Sequence, residues 1–97
     1  MYVTIQKPVA IIKVDGAMRA KQAFVVRDEM ATAISVNGCT EVVVDFADTT
    51  YIDSASINEF VRMERQVGTD NFSVKNPNDD IYEYLEVNCL NHWVKVK

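Results

Sequence analysis

The run Glu41-Val42-Val43-Val44-Asp45-Phe46 constrains the fold more than any other stretch of the chain. Consecutive β-branched residues disfavour helix and favour strand. A strand with one face in water alternates apolar with polar residues. Val42, Val43 and Val44 do not alternate, so both faces of this strand must be covered. Strands of that kind lie inside parallel sheets, whose neighbours need a crossover between them, usually a helix.

The flanking sequence supplies the crossovers. Residues 21–36 put Ala23, Val26, Met30, Ala33 and Ile34 on one helical face, with Arg27, Asp28, Glu29 and Thr32 largely elsewhere. Asn37-Gly38 stops that helix. After a loop at residues 47–52, residues 54–67 predict a second helix with Ile57, Phe60, Val61, Met63 and Val67 inward and Gly68 closing it. Upstream, residues 2–5 alternate before Lys7-Pro8 and predict a short edge strand. Residues 9–14 predict a second strand, closed by a turn at Asp15-Gly16. Residues 72–74 form another short strand. Asn76-Pro77-Asn78 then starts a third helix, with Asp79 and Asp80 at its N-terminus, which buries Ile81, Leu85 and one of Tyr82 or Tyr84. Residues 93–96 predict a last strand. The order ββαβαβαβ is that of an α/β fold: a mixed, largely parallel sheet with helices packed against it and right-handed crossovers. With no internal repeat and no linker, residues 1–97 form one domain.

Charge and cysteine usage exclude several function classes. A formal net charge of −4 lacks the clustered basic face that nucleic-acid binding needs. Cys39 and Cys89 stand fifty residues apart with one histidine, His92, in the whole chain, so neither a metal cluster nor a CxxC redox pair can be assembled. They are expected as small buried thiols. No cofactor or metal is expected. No apolar run reaches membrane-spanning length, and MYVTIQKPV has no signal-like apolar core, so no membrane insertion and a cytoplasmic location are expected.

In open α/β sheets functional groups gather at the carboxyl ends of the strands, where loops enter helices. Here that place runs from Phe46 through Thr49, Thr50 and Tyr51 to Asp53-Ser54-Ala55-Ser56, dense in hydroxyls and carboxylates. A helix N-terminus favours negative charge, which suits a phosphoryl group on serine. Ser54 is also an ordinary N-cap candidate. However, Ser56-Ile57-Asn58-Glu59 spells a capping box, which would release the Ser54 hydroxyl to solvent. Which serine caps stays open at this level.

These residues resemble the STAS family, of the anti-sigma-factor antagonist type. The segment EVVVDFADTTYIDSASIN has the family's strand ending in Asp, its short loop with an aromatic, and its Asp-Ser opening a helix. VAIIKVDG resembles the family's N-terminal strand with its trailing Gly. SVKNPN followed by YLEVNCL resembles its Asn-Pro turn and last helix. The resemblance implies a non-enzymatic regulatory protein that binds an anti-sigma factor of the GHKL-type serine kinase class when unphosphorylated. It is switched off by phosphorylation of Ser54 and restored by a PP2C-type phosphatase. Ser56 is the second-choice acceptor, because it stands where the family's pattern has Gly. Asp53, Ala55, Ser56, Thr50 and Glu59 are implied as phosphosite support and partner contact, and a monomer or weak dimer is expected. The alternative is a STAS subunit of a transport (phospholipid or anion) or stress-sensing complex with no phosphorylation cycle. An acyl carrier protein is excluded by the strand before Asp53, and a serine hydrolase by the absence of a G-x-S-x-G elbow.

Overall fold

The computed structural model describes residues 1–87 together with Lys95 and Val96. His92, Trp93 and Cys89 lie outside the described residues, as does the first half of the strand expected at residues 93–96. The elements are β1 (Tyr2–Gln6), β2 (Val9–Lys13), β3 (Gly16–Met18), α1 (Ala20–Ser35), β4 (Glu41–Asp45), β5 (Thr49–Ile52), α2 (Ser54–Val67), a 3-10 turn at Thr69–Asn71, β6 (Phe72–Lys75), α3 (Asp79–Val87) and β7 (Lys95–Val96).

One sheet has the strand order β1-β2-β4-β6-β7. β1 and β2 form an antiparallel hairpin around Lys7-Pro8, and the β2/β4, β4/β6 and β6/β7 pairings are parallel. The EVVVD strand therefore sits in the middle, as its lack of alternation requires. Register aligns Ile12, Val44 and Val74 on one face. All three are fully buried. Onto that face pack Ala23, Val26 and Met30 of α1, Ile57, Phe60 and Met63 of α2, and Ile81 and Leu85 of α3. Phe60 is the hub, with its ring edge-on to Phe46 at 5.7 Å and tilted against Phe72 at 6.2 Å. Burying rings of this size dominates the core energetics. In α3 it is Tyr84, not Tyr82, that joins the core.

The opposite face carries the row Lys13, Asp45 and Lys75. Val43 on that face is nevertheless only 6% exposed. Val42 to Asp45 are thus all buried, as the sequence predicts, although this second face opens on a groove lined by Ile11, Lys13, Asp45 and Lys75.

Two strands are absent from the sequence reading. Residues 47–52, expected as loop, contain β5, and Gly16–Met18 forms β3. The two pair in parallel as a second, two-stranded sheet. Each is too short for periodicity to show, and their pairing spans α1 and β4. The turn before β3 needs Gly16, whose φ of +72° is costly for any residue with a Cβ.

Candidate functional site

β5 delivers the chain to the N-terminus of α2. It does not alternate strictly: Thr49 and Ile52 at its ends are buried and Thr50 and Tyr51 between them exposed, with a register shift against β3 between Gly16 and Ala17. The Thr49 hydroxyl donates to the Val14 carbonyl at 2.7 Å and anchors the start of β5 to the end of β2. Ile52 then hands over to Asp53, which is extended (φ −111°, ψ 174°) and forms the N-cap of α2.

The capping box expected from Ser56 and Glu59 does not form. Asp53 holds the cap instead: its Oδ1 accepts the Ser56 N–H at 2.9 Å. Aspartate is as good a cap as serine, and here it arrives one residue before Ser54. Ser56 therefore lies inside the first turn, fully buried. Its hydroxyl is 2.9 Å from both the Met18 carbonyl and Asp53 Oδ1, so one proton serves two acceptors. The Asp53 N–H also reaches the Met18 carbonyl, at 3.3 Å. The Asp53 carboxylate in addition accepts the N–H of Ala20, the first residue of α1. The Asp53 carboxylate thus serves two helix N-termini, while its own backbone N–H and the Ser56 hydroxyl tie them to the end of β3. Burial works against its charge, but the Ser56 N–H and hydroxyl, the Ala20 N–H and the neighbouring Arg19 outweigh it and hold the carboxyl below its ordinary range.

Ser54, the first residue of α2, is exposed and takes no part in that network. Both serines are relieved of capping, but only one of them faces solvent. Ala55 beside it is half-buried. Thr50 and Tyr51 are exposed on β5, and the Arg19 guanidinium lies 5.0 Å from the centre of the Tyr51 ring. A groove of about 230 Å³ runs between β5 and α3, lined by Thr50, Tyr51, Ile52, Asp80, Ile81 and Tyr84.

Glu59 is placed elsewhere. It is 5% exposed, with its carboxylate 2.8 Å from Arg27 of α1 and 3.6 Å from Arg62. The ion pair ties α1 to α2, and its charge is already matched. Repulsion of a phosphate by Glu59 therefore has no basis in this geometry, which leaves Asp53 as the neighbouring carboxylate. Arg19, missed from sequence, is the cation of this neighbourhood; its position just before a helix start was the available signal. Among the described residues no group of His, Cys, Asp and Glu could hold a metal ion, and no helix is long and apolar enough to cross a membrane. Cys39 is a buried free thiol, as expected.

No protein-family model matches the sequence, and no curated protein matches it either. Solved structures do. A Thermotoga maritima protein assigned as an anti-sigma factor antagonist superimposes with a TM-score of 0.84 at 18% identity, over 98% of this chain and 83% of that one. An anti-sigma factor antagonist from Mycobacterium paratuberculosis gives 0.81 at 14% identity, over 98% and 81%. The Bacillus cell fate determinant SpoIIAA in its phosphorylated form gives 0.72 at 15% identity, over 99% and 89%. This chain carries the SpoIIAA-like STAS fold of these solved structures.

Proposed function

We propose that this chain is an anti-sigma-factor antagonist, a non-enzymatic cytoplasmic partner-switching protein whose phosphoacceptor is Ser54. The observation that carries this proposal is the division of labour at the start of α2. Asp53 takes the cap, Ser56 is buried with its hydroxyl engaged, and Ser54 alone of the two serines is exposed. The likeness in fold to three proteins described as antagonists or as a phosphorylated SpoIIAA supports the same assignment.

In the proposed cycle the unmodified protein binds an anti-sigma factor that is itself a GHKL-type serine kinase, and so frees the sigma factor. Transfer of phosphate to Ser54 adds about −1.5 to −2 charges at neutral pH. In a closed interface that charge is desolvated beside Asp53. A penalty of about 4 kcal/mol weakens binding roughly a thousandfold. A PP2C-type phosphatase resets the protein. Thr50, Tyr51 and Ala55 are the neighbouring surface that the partner covers.

The test is incubation with the cognate kinase and ATP, followed by peptide mass spectrometry. Phosphate is expected on Ser54 and not on Ser56. Ser54→Ala should abolish labelling and keep partner binding, while Ser54→Asp should weaken binding, by less than a phosphate does. Absence of phosphate from both serines, together with a Ser54→Asp variant that binds as wild type, would overturn the proposal in favour of a transport or stress-sensing subunit.

A further inference from the structure

β1 is an edge strand without the usual protection. Natural sheets blunt their edges with charge, proline, a bulge or brevity. The sequence of β1, YVTIQ, has no charged residue and no proline. Its five pairs with β2, from Tyr2↔Lys13 to Gln6↔Val9, run in unbroken register. Its other side has no strand partner among the described residues.

From this unprotected edge we infer that the chain forms a symmetric homodimer by antiparallel pairing of β1 with β1 of a second copy. An edge strand is complementary to itself when one copy is turned about a two-fold axis perpendicular to the sheet. A register centred on Thr4 pairs all five residues, setting Thr4 against Thr4, Val3 against Ile5 and Tyr2 against Gln6. Val3 and Ile5 share the helix face of the sheet, because they pair with Ile12 and Ala10. Both are only partly buried in the single chain: Val3 packs on the main core, and Ile5 on Ala10, Ala33 and Cys39. Cross-strand Val3–Ile5 contacts complete their burial. Tyr2, 67% exposed, lies on the other face with Thr4 and Gln6, along a groove of about 510 Å³. In the dimer the two helix layers fall on one side of a continuous sheet, and the two grooves join across the axis.

A second copy suits this edge better than a foreign segment, since an uncharged strand offers no charge for a partner to match. The two-fold pairing uses the β1 edge of both copies, so this contact closes at two. The net charge of −4 per chain opposes association, so added salt strengthens the dimer by screening. The dimer does not depend on phosphorylation of Ser54.

Sedimentation equilibrium up to about 1 mM tests this, a range that reaches millimolar dissociation constants. The expected mass rises with concentration from one chain to two and no further. Thr4 faces itself across the axis, with Cβ atoms roughly 4.5–5.5 Å apart. Thr4→Lys and Thr4→Glu should therefore each weaken self-association by up to about fivefold, the effect of like charges directly opposed. An equimolar mixture of the two should form a heterodimer, seen by native mass spectrometry. In the wild type, amide exchange in β1 alone should slow as concentration rises, a readout that needs no variant. A wild type that stays at the mass of one chain overturns the inference. So do Thr4 variants that dimerise as wild type, or a mixture of folded variants that does not pair.

Discussion

Replacing Asp53 with alanine removes one acceptor from two helices at once. In the folded protein its carboxylate takes the Ser56 N–H at the start of α2 and the Ala20 N–H at the start of α1. A lost N-cap costs about 0.5–2 kcal/mol, and here two orphaned donors lose an ionised acceptor together. The Ser56 hydroxyl keeps the Met18 carbonyl, so nothing need be added for it. Asp53→Ala should then destabilise the domain by about 2–3 kcal/mol, a large share of the roughly 5–15 kcal/mol that holds a domain folded. Asp53→Asn retains a side-chain oxygen and should cost about 1 kcal/mol. The difference between wild type and Asp53→Asn carries a pH signature. The folded-state pKa lies below the ordinary value of 3.8, so folding favours the charged carboxyl. Its stabilisation is complete above that value and is lost as pH falls through the lower folded one. The gap should be flat from neutral to weakly acidic pH and close below about pH 4. Urea unfolding followed by circular dichroism at several pH values measures it. A loss under about 0.5 kcal/mol for Asp53→Ala, or a gap that widens on acidification, would refute the double cap.

Three further substitutions probe the framework. Phe60→Ala removes a fully buried ring packed between Phe46 and Phe72 and should cost about 3–5 kcal/mol in urea unfolding. Arg27→Ala leaves the buried Glu59 with the exposed Arg62 alone. It should cost about 1–3 kcal/mol, below the full price of a buried pair because Arg27 is partly in water, and clearly more than Arg62→Ala. Ser56→Ala deletes a buried hydroxyl and should cost about 1 kcal/mol. If Ser56→Ala instead abolished phosphorylation while leaving the melting temperature unchanged, the acceptor would be misassigned.

The framework was legible where the sequence speaks in runs. Val42, Val43 and Val44 declared a central strand, and the 3.6-residue spacing of Ala23, Val26, Met30 and Ala33 declared the buried stripe of α1. Helix ends were legible to within a residue or two. What escaped was decided by contacts remote in sequence. β3 and β5 are strands only because they meet each other. Glu59 was read as a surface group because nothing local revealed that Arg27, on another helix, would meet it. The start of α2 left the cap open between Ser54 and Ser56, and the cap is neither of them but Asp53. The choice of Asp53 depends on the Met18 carbonyl and the Ala20 N–H, both from the distant β3–α1 junction, which accept and donate where Asp53 and Ser56 stand.

The central position of β4 also bears on how the protein is made. During synthesis β2 and α1 emerge first, and β4 can dock on β2 as soon as it appears. Its other edge stays open until Phe72–Lys75 has been translated, because β6 is the partner on that side. For that interval the chain displays an uncapped EVVVD edge, a short apolar segment of high strand propensity and the kind that seeds aggregation. No gatekeeper charge can be set into Val42, Val43 or Val44, since the finished fold leaves none of them more than 6% exposed. Protection must come from its flanks, Glu41 and Asp45, and from the speed with which α2 and β6 follow. A nascent chain stalled between α2 and β6 is therefore the species that a chaperone would most need to hold.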